Sequence, residues 1–198
     1  MNTHSSCLIL ALSSLLPWSA SQSQDEEVVT FDLNARLSGA QEVTPPDSPT
    51  TPSLGVTTDT TGDVLVRVAE DLSSLAFVLN VNNGSGVTQA HLHCGRPGQN
   101  GPVVVFLSPM NAEGRDVDGQ LAEGTRTNQH IEATAEGCEE LIGRPVRNIA
   151  SLTAAAFEGL IYANVHTVAN PAGEIRGQLI PDGDDDTQDS EPPMTQLR

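Results

Sequence analysis

The sequence predicts an all-β protein, either an antiparallel β-sandwich or a flattened Greek-key barrel, with one short helix. Many short segments alternate apolar and polar residues, which is the period of a strand with one buried face. Turn-forming Gly, Pro and Asn residues separate these segments. Aromatic residues are only 3% of the chain, so the core has to be built from Val, Leu, Ile and Ala, and a disulfide would help to stabilise it.

The first half of the chain predicts strands interrupted by a proline-rich loop. Residues 29–37 place apolar side chains at every second position, as a half-buried strand does. Residues 38–53 contain four prolines, which cannot donate to a sheet ladder and therefore predict a loop. Residues 54–60 and 63–68 predict a hairpin whose turn is Thr61-Gly62.

The middle of the chain predicts three further strands. Residues 75–81 alternate, and Asn and Gly residues at 82–86 predict the turn that ends this strand. Residues 87–93 begin the next strand, which a glycine-rich loop over 95–102 follows. The continuous apolar run at 103–107 is typical of a strand that is buried on both faces.

The last third of the chain alternates less regularly. Weak strands are predicted over residues 119–124 and 130–135. Residues 148–159 begin with Asn, a good N-cap, and end with Gly, so this segment predicts the short helix. Two final strands over 160–166 and 174–180 are joined by a polar turn.

Composition and charge restrict the partners of the chain. The formal charge is −17, with nine Arg and no Lys among 198 residues. Nucleic acids and anionic lipid surfaces attract basic proteins, so neither is expected as a partner. The length fits one domain, which we place at residues 28–181.

The two ends of the chain differ from this domain. Residues 1–21 carry no charge and contain an apolar run followed by small residues, which predicts a cleaved secretory signal peptide although the usual Lys or Arg is missing. The run is too short to span a bilayer. Residues 182–198 predict an acidic disordered tail. We therefore expect a secreted protein, extracellular or periplasmic, with no membrane association after cleavage.

Two cysteines remain once the signal peptide is removed with Cys7. In an oxidising compartment, Cys94 and Cys138 are expected to form a disulfide. The alternative is that Cys94 ligates a metal beside His93, but neighbouring residues of a strand point to opposite faces. Asn83 begins an Asn-Gly-Ser sequon and is a glycosylation site if the source is eukaryotic.

Three histidines form the candidate functional site. In a strand, His91 and His93 point to the same face with their Cα atoms about 6.6 Å apart. If the strand that carries His166 lies alongside, three imidazole nitrogens can meet, which is a ligand set suited to copper or zinc. His130 is a further possible ligand. In the alternative interpretation the histidines are structural and form hydrogen bonds to backbone carbonyls, Glu174 or Thr167.

Four segments, in this order, resemble the chordin-type (CHRD) domain. They are residues 31–43, 90–93, 101–105, and 162–167 together with 170–179, and the resemblance extends over about residues 28–181. It implies an all-β secreted or surface domain, since the family is named for repeats in chordin, an extracellular antagonist of bone morphogenetic proteins. It implies little about activity, so a non-catalytic module that binds an extracellular protein is one expectation.

A more distant resemblance is to copper/zinc superoxide dismutase, also a β-sandwich. His91 and His93 match its His-x-His pair, His166 matches its later copper ligand, and Arg176 matches the arginine beside the copper. No residue matches its zinc-bridging histidine or its zinc-binding cluster. The resemblance therefore implies a copper-only site.

These residues lead to three functional expectations. With copper, an open coordination position would permit one-electron exchange with superoxide, and Arg176 would attract the anion as a catalytic residue. With zinc, the same ligands would support hydrolase or hydratase chemistry, for which Glu174 is the candidate base. The third is the non-catalytic interaction module, in which Arg176 forms an ion pair with Glu174 or Glu158.

Overall fold

The computed structural model describes residues 31–44 and 55–182. The predicted signal peptide (residues 1–21) and all but the first residue of the predicted tail (residues 182–198) lie outside these ranges. The strands are β1 Phe31–Ser38, β2 Thr61–Val68, β3 Ser74–Cys94, β4 Val103–Ser108, β5 Arg115–Thr127, β6 Ile161–Thr167, β7 Ile175–Gln178 and β8 Ile180–Pro181, and the α-helices are α1 Cys138–Ile142 and α2 Ile149–Phe157.

Five strands close into an antiparallel barrel. The hydrogen-bonded ring runs β1, β2, β3, β6, β7 and back to β1. Strands β4 and β5 pair with β3 outside this ring, and β8 pairs with β1. The all-β prediction is confirmed, and of its two architectures the barrel is the one that forms. The described residues contain two short α-helices where the sequence predicted one.

Strand β3 is continuous where the sequence predicted a turn at residues 82–86. Asn83 and Gly86 have φ values of 55° and 63°, and the register against β5 shifts on both sides of Gly84. Residues that tolerate positive φ here form β-bulges, which bend a strand without ending it. The first part of β3 therefore pairs with β2 and β5, and the last part pairs with β6 and β4.

The predicted hairpin around Thr61-Gly62 is also wrong, because both residues belong to β2, where Gly62 lies between Leu37 of β1 and Val81 of β3. A Cβ atom at Gly62 would lie 2.7 Å from the backbone oxygen of Asn80. Glycine is needed here because two backbones approach closely, a use of glycine within strands that resembles a turn signal in sequence.

Two weaker predictions had different outcomes. The strand predicted at residues 119–124 is part of the longer β5. Residues 130–135 form no strand: the 3-10 helices Asn128–His130 and Ala133–Gly137 lead into α1 there. The predicted helix at 148–159 is confirmed as α2, where Asn148 Oδ1 accepts a hydrogen bond from Ser151 N at 2.8 Å.

The barrel interior is an apolar core built almost entirely from aliphatic side chains. Every second residue of each barrel strand points inward. The inward residues include Leu33, Ala35, Leu37, Val64, Val66, Leu79, Val81, Ala90, Leu92, Ala163, Val165 and Ile175.

None of the helices among residues 31–44 and 55–182 has the length and hydropathy needed to cross a bilayer.

Candidate metal centre

The outer face of β3, β6 and β7 is polar and yet buried. Their inward residues belong to the core, while the residues that alternate with them point outward and lie beneath loops. In the register of the sheet, His91 is opposite Asn164, His93 is opposite Tyr162, and Asn164 is opposite Arg176. The buried outward residues are His91, His93, Tyr162, Asn164, His166, Arg176 and Gln178.

The three predicted histidines converge on this face. One ring nitrogen from each of His91, His93 and His166 lies within 4.8 Å of the others. His91 Nδ1 and His166 Nε2 are 3.1 Å apart. Metal–nitrogen bonds of about 2.0–2.1 Å place two ligand nitrogens about 2.9–3.4 Å apart. The closest pair already has this spacing, and a metal would draw the widest pair together by about 1.5 Å.

Backbone carbonyls orient two of the three imidazoles. His93 Nδ1 donates to Gly101 O at 2.9 Å, and His166 Nδ1 donates to Pro171 O at 3.0 Å. Because a carbonyl only accepts, each Nδ1 carries the proton and each Nε2 keeps its lone pair. Such carbonyl partners are typical of metal-binding histidines.

Two imidazole nitrogens are buried without a polar partner. Nε2 of His91 and Nε2 of His93 form no hydrogen bond within the part of the chain that the structure describes. A buried polar atom of this kind is costly unless something satisfies it. The residues therefore fit a metal ion, which would satisfy the lone pair of His93 directly.

Burial keeps the three imidazoles neutral. The pKa of His91 is lowered to about 3, mainly by desolvation and to a smaller extent by the neighbouring His166 and His93. Desolvation also lowers the pKa of His93 to about 4, although its hydrogen bond to Gly101 acts in the opposite direction. The pKa of His166 is lowered as well, again mainly by burial. Neutral imidazole is the form that binds metals, so no net proton has to be removed near neutral pH. Because His166 Nε2 is unprotonated, His91 Nδ1 donates to it, and this proton would move to Nε2 of His91 when Nδ1 binds a metal.

Arg176 lies close to the histidines, but neither predicted ion pair forms. Its guanidinium carbon is 3.5 Å from the centroid of the Tyr162 ring, and its side chain is 1% exposed. Glu158 pairs with Arg144 instead. The positive charge of Arg176 also contributes to the lowered pKa of His93.

Glu174 is held by hydrogen bonds. Its carboxylate accepts from the hydroxyls of Thr58, Thr60 and Thr167 at 2.6, 2.8 and 2.5 Å, and from Asn170 Nδ2 at 3.0 Å. Burial alone would raise the pKa of Glu174, but these bonds lower it overall. A carboxylate with a lowered pKa is a weak base, which weighs against the predicted role in zinc hydrolase chemistry.

Glu42 and Asn164 belong to this site, although neither was predicted as a site residue from the sequence. Glu42 is 5% exposed, and Asn164 Nδ2 donates to Glu42 Oε1 at 2.5 Å. Burial raises the pKa of Glu42 to about 7, although Arg176 and the bond from Asn164 act in the opposite direction. Glu42 lies in a segment with no strand pattern, so only the resemblance of residues 31–43 to a known family pointed to it.

The raised pKa of Glu42 predicts the effect of Glu42→Gln. Above pH 7 the buried carboxyl of Glu42 is ionised, which costs desolvation energy. The amide oxygen of a Gln at this position can accept the hydrogen bond from Asn164 without carrying a charge. Between pH 4.5 and 7 the folded protein holds this proton more tightly than the unfolded chain, so Glu42 costs stability as the pH rises. We expect Glu42→Gln to raise the free energy of unfolding at pH 8 by about 1–3 kcal/mol. Urea denaturation at pH 8 measures this, and an unchanged midpoint would contradict it.

The remaining predicted residues lie outside this cluster. His130 is exposed, and its Nδ1 accepts from Thr127 N at 3.0 Å, so its prediction as a further ligand is wrong. Cys94 points to the apolar face and forms the predicted disulfide with Cys138. Asn83 lies exposed on the bulged part of β3, and its glycosylation stays a prediction.

The fold and the site together define an all-β protein with three converging imidazoles on the outside of a closed barrel. Residues 33–179 match the CHRD domain family. Because this match spans well over half of the chain, the protein belongs to that family. No curated protein and no solved structure matches the chain, so the resemblance to superoxide dismutase stays a prediction.

Proposed function

We propose that this protein is a secreted CHRD domain protein that binds a single copper ion through His91, His93 and His166. The observation that carries the proposal is the convergence of three neutral imidazoles, with His91 Nδ1 and His166 Nε2 3.1 Å apart. The carbonyls of Gly101 and Pro171 support it, because they leave Nε2 of His93 and of His166 unprotonated.

Ligand chemistry favours copper over zinc. Three imidazoles suit both ions, and divalent copper binds more tightly than zinc to the same nitrogen ligands. The disulfide between Cys94 and Cys138 supports the secreted location, because such bonds persist in oxidising compartments. It is consistent with a signal peptide at residues 1–21 and a mature domain at 28–181.

Redox activity resembling that of superoxide dismutase is the catalytic part of the proposal. Bound copper would supply one-electron exchange. Arg176 contributes a positive charge near His93, and a cavity of about 550 Å³ lies beside Arg176 and Glu42. The charge of Arg176 would attract a small anion such as superoxide, within a protein whose overall charge of −17 repels anions. The cavity is also lined by Glu158, and none of the three histidines lines it.

Metal analysis of the untagged mature protein tests the site. We expect the wild-type protein to retain about one copper per chain after dialysis against a weak chelator. The double variant His91→Ala with His166→Ala should retain none, because one remaining imidazole cannot hold the ion. Loading with copper and zinc in separate experiments identifies the preferred metal.

His130→Ala is the matched control, because it removes an imidazole that lies outside the cluster. It should bind copper as the wild-type protein does. A wild-type protein that retains neither copper nor zinc would overturn the proposal, and so would equal retention by the double variant.

The second candidate is a non-catalytic extracellular interaction module, which membership of the CHRD family favours. In that case the histidines are structural and an extracellular protein is the partner. The same variants separate the two functions. A structural role predicts that His91→Ala with His166→Ala lowers the midpoint of thermal unfolding without changing the metal content.

A further inference from the structure

Two groups pack against the ring of Tyr162, and one of them is a candidate metal ligand. The guanidinium of Arg176 lies over one face of the Tyr162 ring, 3.5 Å from its centroid. The imidazole of His93 is stacked against the same ring, with 4.9 Å between centroids and 6° between planes. Cation–π and offset-stacked contacts favour this parallel arrangement, so Tyr162 fixes the plane of His93.

Gly101 links the same two rings by hydrogen bonds. Its N–H donates to Tyr162 Oη at 3.2 Å, and its carbonyl accepts from His93 Nδ1 at 2.9 Å. A Cβ atom at Gly101 would lie 1.8 Å from Cys94 O, so the loop backbone is packed directly against the end of β3. The stack therefore fixes the plane of His93, and Gly101 fixes the rotation of its ring within that plane.

Arg176 holds the loop that contains Gly101. Its Nη2 donates to Arg96 O at 2.9 Å, and its Nη1 donates to Asn100 Oδ1 at 3.3 Å. Because its side chain is 1% exposed, these contacts form in a setting with little competition from water. One guanidinium therefore supports both the Tyr162 ring and the loop that orients His93.

We propose that Tyr162 and Arg176 are positioning residues that aim Nε2 of His93 at the metal and thereby set its affinity and coordination geometry. The inference rests on the proposed metal site. It is additional to the attraction of an anion by Arg176, since it needs no substrate. The position of His93 matters most because His91 and His166 already have the spacing of two metal ligands, whereas the separation of up to 4.8 Å within the cluster involves His93.

Copper binding by variants of the full mature chain tests the inference. Tyr162→Leu removes the ring, and we expect it to weaken Cu(II) affinity by about 10- to 100-fold, the usual effect of losing a group that orients a ligand. Tyr162→Phe keeps the stack and loses only the hydroxyl that accepts from Gly101 N, while Arg176 still holds the loop. Its affinity should therefore stay within about threefold of wild type. Competition with a chelator of known affinity measures both variants.

A spectroscopic measurement distinguishes positioning from general loss of stability. The electron paramagnetic resonance spectrum of bound Cu(II) reports its ligand geometry, so Tyr162→Leu should change the copper hyperfine splitting while Tyr162→Phe should not. Arg176→Lys keeps the charge but lacks the planar group. We expect Arg176→Lys to bind Cu(II) about tenfold more weakly than wild type and to give a changed spectrum. If Tyr162→Leu does not fold, this variant tests whether the two residues position His93.

Phe77→Leu is the matched control. Phe77 also carries an arginine over its ring, with Arg126 Cζ 4.8 Å from the centroid, and it lies outside the histidine cluster. It should lower stability and leave the copper affinity and spectrum unchanged. Wild-type affinity and spectrum in both Tyr162→Leu and Arg176→Lys would overturn this inference alone. Failure of the wild-type protein to bind copper would overturn the proposed function as well.

Discussion

Replacement of both Cys94 and Cys138 by Ala is expected to lower the free energy of unfolding by about 4 kcal/mol. The two residues are 44 positions apart, and a cross-link over a loop of this length removes much of the conformational freedom of the unfolded chain. Both side chains are fully buried. The bond joins the end of β3, next to His93, to the start of α1.

Urea denaturation of the double variant, compared with the wild-type protein, measures this loss. Wild-type protein unfolded in excess reductant is the control, because it loses the cross-link without any substitution. The two losses should agree within about 1–2 kcal/mol, the difference being the removed sulfur atoms. A loss below about 1 kcal/mol in both would show that the disulfide contributes little to stability.

Acid is expected to destabilise the metal-free protein well above the pH at which most carboxylates titrate. The pKa values of His91 and His93 fall from 6.5 in the unfolded chain to about 3 and about 4 in the folded protein. Between these limits the unfolded chain binds more protons, so stability is greatest above pH 6.5 and is lost as the pH falls. When the pH falls from 7 to 5, each of the two histidines lowers the free energy of unfolding by about 2 kcal/mol.

Glu42 acts in the opposite direction over the same range. Its pKa is about 7 in the folded protein, against 4.5 for an unperturbed glutamate carboxyl, so its protonation on acidification returns about 2 kcal/mol of stability. The net loss from these three groups between pH 7 and pH 5 is therefore about 2 kcal/mol in the wild-type protein. In Glu42→Gln it rises to about 4 kcal/mol, because the opposing contribution is absent.

Denaturation of both proteins at pH 7, 6 and 5, with a chelator present, measures these losses. The steeper pH dependence of Glu42→Gln is the decisive observation, since it separates the histidines from the carboxyl. Equal stability of the wild-type protein at pH 7 and pH 5 would argue against buried neutral histidines. Bound copper should shift the loss to lower pH, because protons and metal compete for the same nitrogens.

The sequence predicted the strands well wherever one face is buried in the barrel. In β1 and the first part of β3, the alternation of apolar and polar residues was sufficient to predict a strand, because burial of one face selects apolar residues at every second position. The same period placed His91 and His93 on one face. The turns were harder to predict, because Asn83 and Gly86 in a bulge, and Gly62 inside a strand, have the composition of a turn.

Most of the surroundings of the histidines could not be predicted. Tyr162, Gly101 and Glu42 act through contacts between segments that are distant in sequence, and none of them has a spacing that marks it. His130 was a wrong prediction for the related reason that residue type alone says nothing about position. Arg176 was placed near the site only through a resemblance, which did not indicate its contact with Tyr162.

The length of β3 has a consequence for the order of folding. This one strand of 21 residues pairs with β2 beside it in sequence, and with β6 about 70 residues later. Local pairings close small loops and form early, whereas distant ones carry a larger entropic cost and form late. His91 and His166 are separated by 75 residues, so the complete ligand set exists only once β3 has paired with β6. Metal uptake would therefore follow this long-range pairing instead of preceding it.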